Sequence, residues 1–502
     1  MKPNNLSGQE FFVGASLLAK EVREQARSYI KKLTNSSSGI KKIIPSLLLL
    51  TLSHLALAAS LPSNVAEALK RAKIPLSSIG IVVKETNASK TILDINGSQA
   101  MNPASTMKLL TTFSALEILG PAYRWKTEAY LDGKLENGVL QGNLVFKGYG
   151  DPKLTVDQFW MWLRELRQRG LREIRGNIVL DQSFFEPVKN DPAEFDNDPS
   201  RAYNVTPNAL LLNFNALHLH LIPNGNVATA LLEPELVGYT VKNLITTSSK
   251  LACGGEDAYS SHLAGHIIML EGSIPAGCGE TDDYFSLLPH DEYFFALFSA
   301  LWKELGGTIQ GKLIIGSAPI NQVPFATHKS QALSETIRDI NKFSNNTMAR
   351  QLFLTLGASE TLPANTTRST AVIQQWLDSE RMNFPELVLE NGAGLSRKES
   401  ITARHMAEIL QRATRSRYAA ELEASLPILG MDGTVKKRFK ESPLSGYAHL
   451  KTGTLDGVKS IAGYVKARSG KQYILVFIVN HANAALTQPA QDALIEWLYN
   501  TY

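Results

Sequence analysis

Ser105 and Lys108 stand three positions apart in NPASTMKLLTT, residues 102–112. A serine hydroxyl is a poor nucleophile until a base takes its proton, and an exposed lysine, with a pKa of about 10.4, cannot be that base at neutral pH. Removed from water, or crowded by a second cation, the amine sheds its charge and becomes one. The spacing alone is weak evidence, because Ser28 with Lys31 and Ser38 with Lys41 share it. On a helix surface such a pair is ordinary. Two further groups raise its weight: Ser344-Asn345-Asn346 and Lys451-Thr452-Gly453-Thr454.

Each group falls on an element able to hold it. Pro103 suits the first turn of a helix and Gly120 its exit, so one helix is expected over 103–119, with Leu109, Phe113 and Leu116 facing a core. Ser105 and Lys108 would share a face near its amino end, where developing negative charge is favoured. The pattern Leu333, Ile337, Ile340 is helical and places Ser344 at or just beyond that helix's end. Lys451–Thr454 lies in a strand-like run, with Gly453 removing a side chain where another backbone can approach. KQYILVFIVNH, residues 471–481, reads as a neighbouring strand.

The order Ser-X-X-Lys, Ser-X-Asn, Lys-Thr-Gly resembles that of the penicillin-recognising serine hydrolases. From Ser105 to Ser344 is 239 positions, against 107 from Ser344 to Lys451, so a large insertion separates the first two groups. Its segments 130–148 and 174–183 read as strands around a helix at 156–170, and 215–224 and 265–275 as further strands. That insertion, with GYGDPKL at 148–154 and NGAGLSR at 391–397, resembles the type-4 penicillin-binding proteins, D-alanyl-D-alanine carboxypeptidases and endopeptidases of the bacterial cell wall. One departure is Asn391 with Ala393, where Asp-Gly-Ser-Gly-Leu-Ser is the expected run.

The resemblance implies a β-lactamase/transpeptidase-like α+β fold, an antiparallel sheet flanked by helices, over 59–125 and 296–502, with a β-rich insertion at 126–295. It implies Ser105 as nucleophile, Lys108 as its base, and Ser344 as the proton relay to the leaving D-alanine. Lys451 would be the second cation that keeps Lys108 neutral and helps hold the substrate carboxylate. Asn346 would bind the peptide amide, the amides of Ser105 and Thr454 would form the oxyanion hole, and Thr452 and Thr454 would bind the terminal carboxylate. Asp151, Arg397 and Leu455 would shape a pocket for a diaminopimelate side chain, Asp151 taking its amine and Arg397 its carboxylate. The substrates implied are peptidoglycan stem peptides, with β-lactams as inhibitors and no cofactor.

The rest of the chain bounds these readings. Its 502 residues exceed one ordinary core, and 44% hydrophobic content marks a folded protein. Lys41 and Lys42 precede an apolar run ending Ala56-Leu57-Ala58, the order of a cleavable secretory signal, so 1–58 are expected to be a leader to the periplasm. That leader holds eight of the 51 Lys and Arg and three of the 47 Asp and Glu; the remainder is nearly neutral, with no argument for nucleic acid. No later segment has the length of a membrane span. Cys253 and Cys278, alone in an exported chain, are expected to form a disulfide worth roughly 3 kcal/mol. His218 and His220 alternate on one strand face without an evident third ligand, so no metal is expected. The aromatic stripe of 290–307 is read as core. A β-lactamase and a non-catalytic wall-binding module are the competing readings: the first needs a deacylating water route, the second tolerates decay of the three motifs.

Overall fold

The computed structural model describes residues 61–502 apart from 89, 188–191, 254–257 and 360–361; the expected leader lies outside the described residues. β1 (Ile79–Glu85) and β2 (Thr91–Ile95) open the chain's first sheet. α1 (Lys108–Leu119), α2 (Leu333–Lys342), α3 (Asn346–Gly357) and α4 (Ala403–Thr414) follow, then β3 (Ala448–Leu455), β4 (Val458–Lys466), β5 (Gln472–Asn480) and α5 (Gln488–Thr501). The five strands form one sheet, ordered β3-β4-β5-β1-β2, and every pairing in it is antiparallel.

The central strand explains why helices cover both faces. In QYILVFIVN the side chains alternate between two cores. Ile474, Val476 and Ile478 join Leu109, Phe113, Ile337, Leu352 and Met406 on one side. Tyr473, Leu475, Phe477 and Val479 join Val65, Leu69, Leu494 and Leu498 on the other. A strand apolar on both faces is stable only when buried twice. β3 is the edge of this sheet, and Gly453 on it borders the turn that carries Ser105.

The insertion is built on the hairpin Lys126–Glu136 and Val139–Gly148, which seeds a seven-stranded mixed sheet; a separate six-stranded sheet spans Leu217–Phe285. Phe146, Phe159, Trp162, Phe294, Phe298 and Trp302 meet in one core, so the aromatic stripe of helix His290–Glu304 packs against the helix Val156–Gln168 side of the insertion. The elements packed with the insertion therefore continue past residue 295, as far as strand Ala326–Lys329, which pairs with Lys126–Ala129. Cys253 and Cys278 are bonded to each other, their Cα atoms 5.4 Å apart. No described helix is long and apolar enough to cross a membrane.

Candidate active site

The helix expected from Pro103 begins as a 3₁₀ turn, Ala104–Met107, and becomes α-helical only at Lys108. Asn102 fixes this entry: its Oδ1 accepts from the Ala104 amide at 2.9 Å, and its own amide donates to Asn480 Oδ1 at 2.8 Å. A 3₁₀ turn eclipses residues i and i+3. Ser105 and Lys108 are therefore stacked more directly than on an α-helix, and Lys108 Nζ lies 3.0 Å from Ser105 Oγ.

Lys108 is completely buried, and Asn346 Oδ1 (2.7 Å) and the Ala393 carbonyl are its other two contacts. A neutral amine has two N–H groups and one lone pair. The ammonium would donate to all three partners; the neutral amine keeps two N–H groups for Asn346 and Ala393 and has a lone pair for the Ser105 hydroxyl. Burial lowers its pKa to about 7, opposed by the nearby Glu399 carboxylate.

Ser344 lies between α2 and α3 with φ +58°, a conformation uncommon outside glycine. Asn345 caps α3, accepting from the Met348 amide at 2.9 Å, so Asn346 opens the helix facing Lys108. Lys451, also fully buried, donates to Ser344 Oγ at 2.7 Å and to the Thr452 carbonyl at 2.8 Å. Burial first, then the charge of Lys108, push it well below the usual lysine range. Loss of solvent is the main cause at both amines; at Lys451 the charge of Lys108 adds to it, whereas at Lys108 the Glu399 carboxylate opposes it.

Two glycines let the parts close up. A Cβ on Gly453 would stand 2.8 Å from both the Ser105 amide nitrogen and the Pro103 carbonyl. Gly394, at φ +75°, presses as closely on Ala104 from the other side. Loop and edge strand thus flank the Ser105 backbone.

The remaining expected residues are dispersed. Thr452 Oγ1 donates to Thr434 Oγ1 at 2.8 Å, and exposed Thr454 receives Lys459 Nζ at 3.0 Å from the paired position on β4. Leu455 is half-buried at the strand end. Arg397 is exposed, donates to the Asp456 carbonyl at 2.8 Å and covers the Phe195 ring. It lines a cavity of about 490 Å³ with Glu186, Glu194, Asn204, Arg350 and Lys398 among its neighbours.

Asp151 does not line that cavity. Its carboxyl is buried, Oδ1 accepts from the Lys153 amide at 2.9 Å, and Oδ2 lies 3.7 Å from His328 Nε2; burial pushes its pKa up to about 6. Asp151 thus caps its own turn before Pro152 rather than offering a charge to solvent. His218 and His220 both bond Asp282 Oδ1 at 2.8 Å, and no described group of three or more His, Cys, Asp or Glu is arranged to hold an ion.

Two contributors had no sequence signal. The Ala393 carbonyl holds Lys108 through backbone alone. Glu399, 1% exposed, accepts with Oε1 from three successive amides, Glu390 (3.0 Å), Asn391 and Gly392 (both 2.9 Å). An acid in a Gly-rich loop is ordinarily surface, so only the fold reveals its inward turn.

Comparison with known proteins gives a consistent result. The D-Ala-D-Ala carboxypeptidase 3 (S13) family matches residues 61–501. The D-alanyl-D-alanine carboxypeptidase DacB of Haemophilus influenzae is 27% identical over 435 residues, covering 85% of this chain and 90% of that protein. A D-alanyl-D-alanine carboxypeptidase of Actinomadura is 27% identical over 83% of this chain and 80% of its own. The crystal structure of penicillin binding protein 4 from Haemophilus influenzae superposes with a TM-score of 0.73 at 25% identity, over 87% of this chain and all of that one. With 441 consecutive residues matched, this chain belongs to the D-Ala-D-Ala carboxypeptidase 3 (S13) family, the type-4 penicillin-binding proteins.

Proposed function

We propose that the protein is a serine D-Ala-D-Ala carboxypeptidase of the cell envelope that also cuts D,D-cross-links between peptidoglycan stem peptides. The observation that carries this reading is the 3.0 Å contact between Ser105 Oγ and a wholly buried Lys108 amine. Ser105 Oγ attacks the carbonyl carbon of the penultimate D-alanine while its proton passes to Lys108. The tetrahedral oxyanion is received by the amides of Ser105 and Thr454. The C–N bond then breaks, the departing amine takes through Ser344 the proton that Lys108 had accepted, and an ester on Ser105 remains beside a neutral Lys108. Water hydrolyses that ester, returning the proton to Ser105.

The family relative from Haemophilus influenzae has been solved as penicillin binding protein 4 complexed with a β-lactam, which supports acylation of Ser105 by the same route. Asn346 uses Oδ1 on Lys108, which leaves its amide nitrogen to meet a substrate carbonyl. Arg397 remains the cation for a diaminopimelate carboxylate. The amine's partner is assigned to an acid that lines the cavity, Glu186 or Glu194, in place of Asp151. Export to the periplasm rests on the basic-apolar-small order of residues 41–58.

Incubation of the protein from residue 59 with a muropeptide ending in D-Ala-D-Ala should release D-alanine, and penicillin should leave a long-lived adduct on Ser105. Absence of both would sink the reading. A short-lived adduct with rapid penicillin turnover would favour the β-lactamase alternative.

A further inference from the structure

The loop 390–394 does more than close the site: it supplies the Ala393 carbonyl to Lys108 and the Gly392 carbonyl to Thr111 Oγ1 at 2.6 Å. What gives that loop its shape is Glu399. Its Oε1 gathers the amides of Glu390, Asn391 and Gly392, while its Oε2 has no hydrogen-bond partner among the described residues. A buried carboxylate with one oxygen unsatisfied is costly to keep. Asn391 on the same loop already serves its turn, with Oδ1 accepting from the Ala393 amide and Nδ2 donating to the Leu395 carbonyl. A neutral side chain could therefore have organised the remaining amides without burying a charge.

We propose that Glu399 is a positioning residue for the serine–lysine pair: its carboxyl sets the loop whose Ala393 carbonyl holds Lys108 and, when ionised, favours the charged form of that amine. This inference rests on the serine–lysine reading above. Burial pushes the Glu399 carboxyl up, opposed by its three amide donors and by Lys108 on α1; Arg350 on α3 and Glu390 in the loop itself are the other charged groups of this cluster. Glu390 is engaged by Ser396 and Lys398, the latter at 3.1 Å. Arg350 is nearly buried, donates to the Val205 carbonyl at 3.2 Å and is held cationic in part by Glu399 and Glu390. Glu399 favours a positive charge on Lys108. The carboxylate thus counters the desolvation that strips the Lys108 proton, and keeps the amine basic enough to accept the serine proton rather than merely neutral.

The test is the pH dependence of acylation by a fluorescent penicillin in Glu399→Gln, Glu399→Asp and the unaltered protein. Glutamine keeps the shape and an acceptor but removes the charge. Without the carboxylate the ammonium is less favoured, so the acid limb of the acylation profile is expected to move to lower pH by about one unit. Aspartate keeps a charge on a shorter arm; its limb is expected to stay nearer that of the unaltered protein while its plateau rate falls. An unmoved limb in Glu399→Gln, whether or not the melting temperature drops, overturns the proposal, as does a limb that moves to higher pH. If the unaltered protein is not acylated at all, the serine–lysine reading fails instead, so the two failures are told apart.

Discussion

Lys451 Nζ lies 2.7 Å from Ser344 Oγ, a second buried amine on a second serine, set on a strand edge opposite the Ser105–Lys108 pair. In the proposed mechanism Lys108 serves the nucleophile, Ser344 carries a proton to the leaving amine, and the Lys451 hydrogen bond orients it. Ser344→Ala is expected to slow penicillin acylation by about 10²–10⁴-fold, the range for loss of one proton-transfer group. Labelling should still map to Ser105. Near-normal acylation would remove Ser344 from the proton route.

Burial lowers the Lys108 pKa to about 7, and in the proposed mechanism this amine is the base. Acylation needs the neutral form, so its rate should climb with pH through about 7 and fall about tenfold per unit below it. Stability carries the opposite mark of the same burial. Between about 7 and 10.5 the unfolded chain holds a proton that the folded one does not, so stability rises with pH across that window. Lys108→Met removes this cost. It should abolish labelling and raise the melting temperature, most clearly below pH 7. A variant less stable than the parent there would contradict the account.

Gly453 is required by distance rather than by backbone angle. A methyl group there meets the Ser105 amide and the Pro103 carbonyl at 2.8 Å, so either β3 or the serine turn must move. Gly453→Ala should reduce acylation about 10–100-fold, the cost of an ångström-scale misplacement, while thermal unfolding remains cooperative. Unchanged kinetics in a crystal structure with unshifted Ser105 would refute this.

The Cys253–Cys278 bond belongs to the insertion and touches none of the catalytic groups. Cys253→Ser should lower stability by roughly 3 kcal/mol in the chain-entropy account, with acylation kinetics retained. Equal melting curves with and without reductant would deny the bond a stabilising role.

Asp151 supplies a contrast with Arg397. Since its carboxyl is enclosed, Asp151→Asn should leave KM for diaminopimelate-containing peptides unchanged, whereas Arg397→Ala should raise it. A selective rise in KM for Asp151→Asn would restore Asp151 to the substrate pocket.

Much of this protein is written in local patterns. Apolar spacing marks α2 and the twice-buried β5, and three short motifs place Ser105, Lys108, Ser344 and Lys451 on their elements, because residue type and period act over a few positions. The large gap between Ser105 and Ser344 likewise announces an insertion. What sequence could not give is the set of contacts between positions hundreds of residues apart. The 3₁₀ entry of α1 follows from Asn102 meeting Asn480, and the enclosure of Asp151 from packing near His328. Above all, the lysine's lost charge comes from exclusion of water, a property of the assembled interior that no local spacing encodes.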